Sequence, residues 1–271
     1  MKKILAIALV ALIALSTVFA GGSSEKASVD KLTKIKESGK LVVGTEAQYA
    51  PYEFKDADAN FVGCDIWLAQ QIADELGVKL EIVDMSFDGI IPAVTSGQVD
   101  IGIAAFTATP ERAEVIDFSS SYETATQFLV VKAGNEDVYS TLESLKGKKV
   151  GAQKGTFQSQ LILESFTGAE LFELAKYPAL ALEVQNGNIV GLVADQSAGQ
   201  SIIDSSDGKL VNSHFDFSQI EGAVGTKNAV VQKGNPEFLA AVNKVIDKVV
   251  ADGSFQAEFD KAVALAATLG L

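Results

Sequence analysis

The sequence is poor in the residues from which metal centres, redox pairs and cross-links are built. Among 271 residues there is one cysteine, Cys64, and one histidine, His214. One thiol forms neither an intrachain disulfide nor a CxxC redox pair, and with a single imidazole it excludes most zinc sites. Positive charge is also short: 22 Lys and Arg stand against 35 Asp and Glu, a net charge of -13. A surface this acidic repels phosphate backbones and anionic lipid heads, so no nucleic acid is expected as a partner. Proline is scarce, at 5 residues, and no Pro- or Ser-rich linker divides the chain after Leu32.

Long apolar runs are missing everywhere except at the N-terminus. There Lys2 and Lys3 precede the run Ile4 to Leu15, which ends in Ser16, Thr17 and the small-residue site Val18-Phe19-Ala20. A membrane span needs roughly 20 apolar residues, and this run is shorter. Residues 1–20 therefore read as a signal peptide cleaved after Ala20. Gly21-Gly22-Ser23-Ser24 follows, with no cysteine to take a lipid, and residues 21–29 read as a flexible leader. The expected location is the periplasm. Without a cross-link, stability has to come from core burial, and a small apolar packing residue is the expectation for Cys64.

What the chain does hold is apolar content, 48% of residues, distributed as an alternation of strands and helices. Leu41 to Gly44 reads as a buried strand, and Asp65 to Leu76 as a helix stopped by Gly77. Val78 to Val83 is a strand, Asp88 to Thr95 a helix closed by Gly97, and Val99 to Ala105 a second buried strand. The pattern restarts with a strand over Lys148 to Gln153, a helix over Thr156 to Ser165 and a strand over Val190 to Ala194. Two amphipathic helices, Pro236 to Asp252 and Phe255 to Ala266, end the chain, with Asn235-Pro236 as cap and first position of the first. Repeated βα crossovers predict an α/β fold of two lobes, each a mostly parallel sheet with helices on both faces.

The most informative stretch is Ala104-Ala105-Phe106-Thr107-Ala108-Thr109-Pro110-Glu111-Arg112. Thr109 reads as an N-cap and Pro110 as the first helical residue, which puts Arg112 at the third position, where the helix dipole disfavours a cation. A guanidinium there, with the Thr107 hydroxyl and free amides, suits one anion beyond the carboxyl end of a buried strand. It grips a carboxylate through two parallel hydrogen bonds, which lysine cannot reproduce. Asp195 ends another buried strand and suits an ammonium group. Gly155-Thr156-Phe157 opens a helix whose first amides suit the second carboxylate oxygen. Glu46, Tyr49 and Phe87 follow other strand ends, the side on which open α/β sheets bind ligands.

Taken together and in order, these motifs resemble the extracytoplasmic solute-binding proteins for polar amino acids, solute-binding protein family 3, the receptor subunits of ATP-driven importers. The resemblance is carried by Gly44-Thr45-Glu46, Pro51-Tyr52-Glu53-Phe54, Phe87-Asp88-Gly89-Ile90-Ile91-Pro92, Gly97-Gln98-Val99-Asp100, Thr107 to Arg112 and Asp117-Phe118-Ser119. It implies two lobes joined by crossing segments near Glu123 to Gln127 and Gly222 to Thr226, closing on ligand. Lobe one would hold residues 30–123 and 223–271, and lobe two residues 124–222. Arg112, Thr107, Thr156 and the Phe157 amide would take the ligand's α-carboxylate. Asp195 and the Ala105 carbonyl would take its α-ammonium. Tyr49 and Phe87 would sandwich the side chain and Glu46 would reach its polar end. The sequence departs from the family at Ala105, usually Ser or Gly, and at Cys64, usually Phe.

A carboxylate between aromatic faces favours a basic side chain, arginine or lysine, over glutamine. Gln153 and Gln158 keep an amide ligand in play. The implied partners are a small-molecule amino acid and the membrane permease of an ABC importer, with the receptor a monomer, no cofactor and no catalysis. The rival reading is a periplasmic enzyme on the same scaffold, of the cyclohexadienyl or arogenate dehydratase type, in which a desolvated Glu46 protonates a leaving hydroxyl. No nucleophile–base pair accompanies it, because His214 lies in the polar stretch Asn212-Ser213-His214, away from the site motifs.

Overall fold

Two mixed sheets, each with its own helices, arise from the alternating pattern. The computed structural model describes residues 30–271; the expected signal peptide and leader lie outside the described residues. The first run of elements is α1 (Lys31–Ser38), β1 (Lys40–Thr45), β2 (Phe54–Lys55), β3 (Phe61–Val62), α2 (Cys64–Leu76), β4 (Lys79–Asp84), α3 (Phe87–Ser96) and β5 (Ile101–Phe106). Then come α4 (Pro110–Ala113), β6 (Ile116–Phe118), β7 (Glu123–Ala125), β8 (Gln127–Lys132), α5 (Leu142–Leu145) and β9 (Lys149–Gln153). Next are α6 (Phe157–Ser165), β10 (Glu170–Leu174), α7 (Tyr177–Asn186), β11 (Gly191–Asp195), α8 (Gln196–Asp204) and β12 (Leu210–Asn212). The chain closes with β13 (Gly225–Gln232), α9 (Pro236–Ala251) and α10 (Ser254–Leu269).

The first sheet runs β4-β1-β5-β13-β6, and the second β10-β9-β11-β8-β12. In each, three strands joined by βα crossovers are parallel: β4, β1 and β5 in one, β10, β9 and β11 in the other. The expectation of mostly parallel sheets needs correcting, because β13 and β8 enter antiparallel to β5 and β11, and β6 and β12 extend that antiparallel side. Strands β8 and β13 arrive from the segments that cross between sheets, not from a helical crossover, so nothing forces them parallel. The crossing segments pair with each other, since β7 runs antiparallel to the start of β13 with Glu123 opposite Lys227.

Local chemistry sets the element ends. Gly77 and Gly97 close α2 and α3 in the left-handed conformation, as their positions predict. Strand β5 starts at Ile101, later than expected, because Asp100 turns its carboxylate onto the Val42 amide at 2.9 Å. Asn235 stands at the start of α9 without capping it through its side chain; its amide donates to the carbonyls of Gln232 and Lys233 instead. On α9 the buried residues Phe238, Val242, Val245, Ile246 and Val249 follow the helical period and pack toward α2. Each such side chain contributes about 1.5–3 kcal/mol on burial. Cys64 is fully buried as the first residue of α2. Strands β5 and β11 are buried along their whole length, which puts their carboxyl ends, Phe106 and Asp195, at the bottom of whatever the loops enclose.

Candidate functional site

At one end of the region between the two sheets lies Arg112. Thr109 caps α4, its hydroxyl accepting the Arg112 amide at 3.2 Å, with Pro110 in the first position as the sequence predicts. The guanidinium lies over the rings of Phe87 and Phe106, 5.6 and 5.5 Å from their centroids. One arm donates to the Thr107 carbonyl at 2.7 Å and the other to the Gly155 carbonyl at 2.9 Å, reaching from the first sheet's loops to the second's. A guanidinium has five N–H donors, so three remain. Among the described residues no carboxylate lies within ion-pair distance of Arg112. Burial lowers its pKa to about 10, only partly offset by Glu111. A partly desolvated cation with no carboxylate of its own is a receptor for an anion.

The start of α6 faces the same space. Thr156 is its N-cap: its hydroxyl accepts the Ser159 amide at 3.2 Å and donates to the Gln153 carbonyl at 2.6 Å. The next two amides, of Phe157 and Gln158, begin the helix and have no intrahelical acceptor. Gly155 just before it has φ +75, and a Cβ there would stand 3.0 Å from Asp88 Cβ, so only glycine lets this loop approach α3 so closely. Lys154 bridges the same gap to Asp88 at 3.0 Å.

The opposite end is built differently. Asp195 is fully buried and already has three donors. Its Oδ1 accepts the Ala198 amide at 3.0 Å; its Oδ2 accepts the Tyr49 hydroxyl and, at 2.7 Å, Lys227 Nζ. The ammonium expected at Asp195 is therefore supplied by the chain itself in this conformation. Ala105 is held at φ +48, where β5 bulges against β13, and its amide donates to Asp65 Oδ2 at 2.8 Å.

The rings expected to sandwich a ligand are arranged otherwise. Tyr49 is stacked between Tyr52 and Tyr177, at centroid distances of 5.6 and 5.3 Å, so both its faces are covered by protein. Phe87 stacks on Phe106 at 4.7 Å. These pairings are a correction to the expected sandwich, and they follow from the preference of buried rings for offset stacking. Glu46 is 3% exposed, and burial lifts its pKa to about 7 against the donor Gln153, whose Nε2 stands 3.3 Å from Glu46 Oε2. Gln158 donates to Gln127 at 2.9 Å. His214 pairs with exposed Asp137 and lines no part of this region.

Glu46, Tyr49, Phe87, Ala105, Thr107, Arg112, Gln153, Thr156, Phe157 and Gln158 all line one small cavity of about 20 Å³. Asp195 alone of the expected residues does not; its partners Lys227 and Tyr49 line the cavity instead. Space of this size holds one water, so an amino acid enters only when the two sheets' loops part. A wider groove of about 470 Å³ opens behind Tyr49 and Tyr177, but Lys55 is the one charged side chain in its lining, so it suits a zwitterion poorly. Sequence reasoning missed three lining residues, Ala104, Lys227 and Glu53. Lys227 shares its strand face with Ala229 and Val231, both buried, and that period-two placement was the available signal. Glu53 is 1% exposed, and burial together with nearby Asp65 raises its pKa well above the ordinary carboxylate range.

With this geometry in view, comparison with known proteins decides the family. The model of bacterial extracellular solute-binding proteins, family 3, matches residues 41–263. The chain belongs to that family. The L-cystine-binding protein TcyJ of Escherichia coli is 31% identical over 91% of this chain and 92% of its own length. The substrate-binding protein AbpA of Streptococcus pneumoniae, solved with L-arginine, superposes with a TM-score of 0.82 at 32% identity, over 86% of this chain and 98% of that one. An ancestral arginine-binding protein solved with glutamine superposes with a TM-score of 0.75 at 37% identity, over 82% and 97%. Among the described residues no helix is long and apolar enough to cross a membrane, in keeping with an extracytoplasmic family.

Proposed function

We propose that this protein is the substrate-binding component of an ABC amino-acid importer, capturing a polar amino acid, with arginine or lysine favoured over glutamine. The observation that carries the reading is Arg112: a half-buried guanidinium lining the cavity with no carboxylate of its own. With Thr107, Thr156 and the first amides of α6, it forms the receptor for an α-carboxylate. The Ala105 carbonyl and the Asp195 end receive the α-ammonium, and Glu46 lies where a basic side chain ends. Solved relatives that hold arginine, and one that holds glutamine, support the class and leave the side chain to experiment.

Closure follows from the connections. Lobe one comprises 30–123 with 223–271 and lobe two 124–222; the pairing of β7 with β13 supports a bend in these two adjacent segments. Contacts from both sheets to one ligand favour the closed form, which a permease then recognises. The protein works as a monomer exported by its N-terminal segment, cut after Ala20, and it is not an enzyme. The dehydratase reading is supported by Glu46 and by the likeness to an ancestral amino-acid-binding protein that is a precursor of cyclohexadienyl dehydratase. That precursor too is named for binding, as is the cystine-binding relative. A thermal-shift screen of the twenty amino acids tests the reading. A large shift with arginine or lysine is expected; a response to glutamine alone overturns the basic side chain, and no response to any overturns the amino-acid reading.

A further inference from the structure

Lys227 is the residue that neither the motifs nor the family accounts for. Its side chain is 2% exposed, and Nζ lies 2.7 Å from Asp195 Oδ2. The same ammonium stands 5.2 Å from the ring centroid of Tyr52 and 6.0 Å from that of Tyr49. A carboxylate flanked by aromatic faces is the chemistry by which proteins recognise ammonium groups. Here the recogniser and the recognised group belong to one chain. Lys227 also lines the cavity that Arg112 lines, while Asp195 does not. An ammonium that reaches Asp195 from that cavity finds its Oδ2 already held by Lys227 and by the Tyr49 hydroxyl, both of which line the cavity.

The anchoring of the lysine matters. It sits on β13 opposite Glu123 of β7, within the paired segments that connect the two sheets, whereas Asp195 ends a strand of the second sheet. The pair thus ties the connection to the second sheet's ligand-side end without a ligand.

We propose that Lys227 is a specificity-determining residue: its ammonium is a built-in competitor for the Asp195 carboxylate, so that a ligand's α-ammonium adds little to binding. The cleft then selects by carboxylate at Arg112 and by side chain at Glu46, and it tolerates acids that lack the α-amino group. This rests on the amino-acid reading above, because only there does an α-ammonium reach the Asp195 end.

Calorimetry with L-arginine and its desamino counterpart 5-guanidinopentanoate, and with L-glutamine and glutaramate, tests the proposal on the wild-type protein and on Lys227→Met. In the wild type the amino acid is expected to bind less than about tenfold more tightly than its desamino partner. In Lys227→Met, with Asp195 freed, the preference is expected to rise above about a hundredfold. The double variant Lys227→Met with Asp195→Asn, which removes the Asp195 charge together with its partner, is expected to return the preference to the wild-type range. A wild-type preference above about a hundredfold, or the same preference in all proteins, overturns the proposal. If none of the four compounds binds, the amino-acid reading fails, and small-angle scattering without ligand still judges the lysine. The double variant is expected to be more open than the wild type, and an equal radius of gyration overturns the proposal.

Discussion

The two ends of the cleft hold charges of opposite sign, a half-buried guanidinium and a fully buried carboxylate, and they are solved in opposite ways. Arg112 has carbonyls, aromatic faces and no carboxylate; Asp195 has a lysine, a tyrosine hydroxyl and a backbone amide. A buried charge without a counter-charge is costly, and a protein keeps one where something else supplies the partner. A buried charge with its counter-charge built in needs nothing from outside. Ligand binding energy is therefore concentrated at the Arg112 end, and structural energy at the Asp195 end.

The strongest way to break this contrast is at Arg112. Arg112→Lys keeps the charge but removes the planar fork that holds both carboxylate oxygens, and loss of a hydrogen bond to a charged group costs roughly 1.5–3 kcal/mol. Ligand affinity should fall by about ten- to a hundredfold while folding is retained, because no carboxylate of the protein is orphaned. Calorimetry finding less than about a tenfold loss would remove Arg112 from the role of carboxylate clamp.

The mirror experiment is read in stability. Lys227→Met leaves the Asp195 charge buried and unpaired, which is expected to cost about 3–5 kcal/mol without any ligand present. Asp195→Asn should cost less, because the ammonium keeps an amide oxygen as acceptor and the faces of the neighbouring rings. In a double-mutant cycle by urea unfolding the two changes should fall short of additivity by at least about 1 kcal/mol. Additive costs would show that the 2.7 Å pair carries no coupling.

Acidity sharpens the comparison at intermediate scale. Burial raises Glu46 and Glu123 to about 7 and Asp65 to about 6. In each the folded state holds a proton that the unfolded chain has already lost above its ordinary value of 4.5 or 3.8. Stability contributed by these protons is present at low pH and is lost as pH rises through the folded values. The loss is about 1.4 kcal/mol for each pH unit that separates a folded value from the ordinary one. The unfolding midpoint of the ligand-free protein should therefore drop between pH 5 and 7 and level off above. A guanidinium beside Glu46 favours its ionised form, so arginine binding near pH 6.5 should release a proton and tighten as pH rises. Glutamine should do neither. Calorimetry in buffers of different ionisation enthalpy reads the difference directly.

Much of the architecture was legible because periodicity and punctuation agree with it. Gly77 and Gly97 close their helices, Thr109 and Pro110 open α4, and the all-apolar runs of β5 and β11 are the buried strands. Arg112 was legible because a cation at the start of a helix breaks a local electrostatic preference, and such a break marks a site. The antiparallel strands β8 and β13 escaped because a short apolar run carries no direction; direction comes from the partner, which is far away in sequence. Tyr49 escaped for the same reason. Its covering rings, Tyr52 and Tyr177, are set by the tertiary packing of α7 against the first sheet's loop, which no spacing reveals. Lys227 stood in plain view on the buried face of a strand, yet its partner Asp195 had already been given to the ligand.

The smallest expected effect lies between the two ends, at Ala105. It is a non-glycine residue at φ +48, in the bulge where β5 meets β13 and beside the cavity. The left-handed region costs an L-residue roughly 1–2 kcal/mol, and the structure over-determines it here: the Ala105 amide is tied to Asp65 Oδ2 at 2.8 Å. Ala105→Gly removes the steric cost but adds about 0.5–1 kcal/mol of unfolded-chain entropy. The net expectation is a stabilisation of about 1 kcal/mol or less, with the carbonyl held in place and ligand affinity unchanged within about threefold. Ala105→Val adds a branched side chain in the same conformation and should destabilise by more than the glycine gains. Chemical unfolding of the pair reads both signs. A destabilised glycine variant would mean that the methyl group of Ala105 packs for more than its backbone strain costs, and that the bulge is held by packing and not by the Asp65 hydrogen bond.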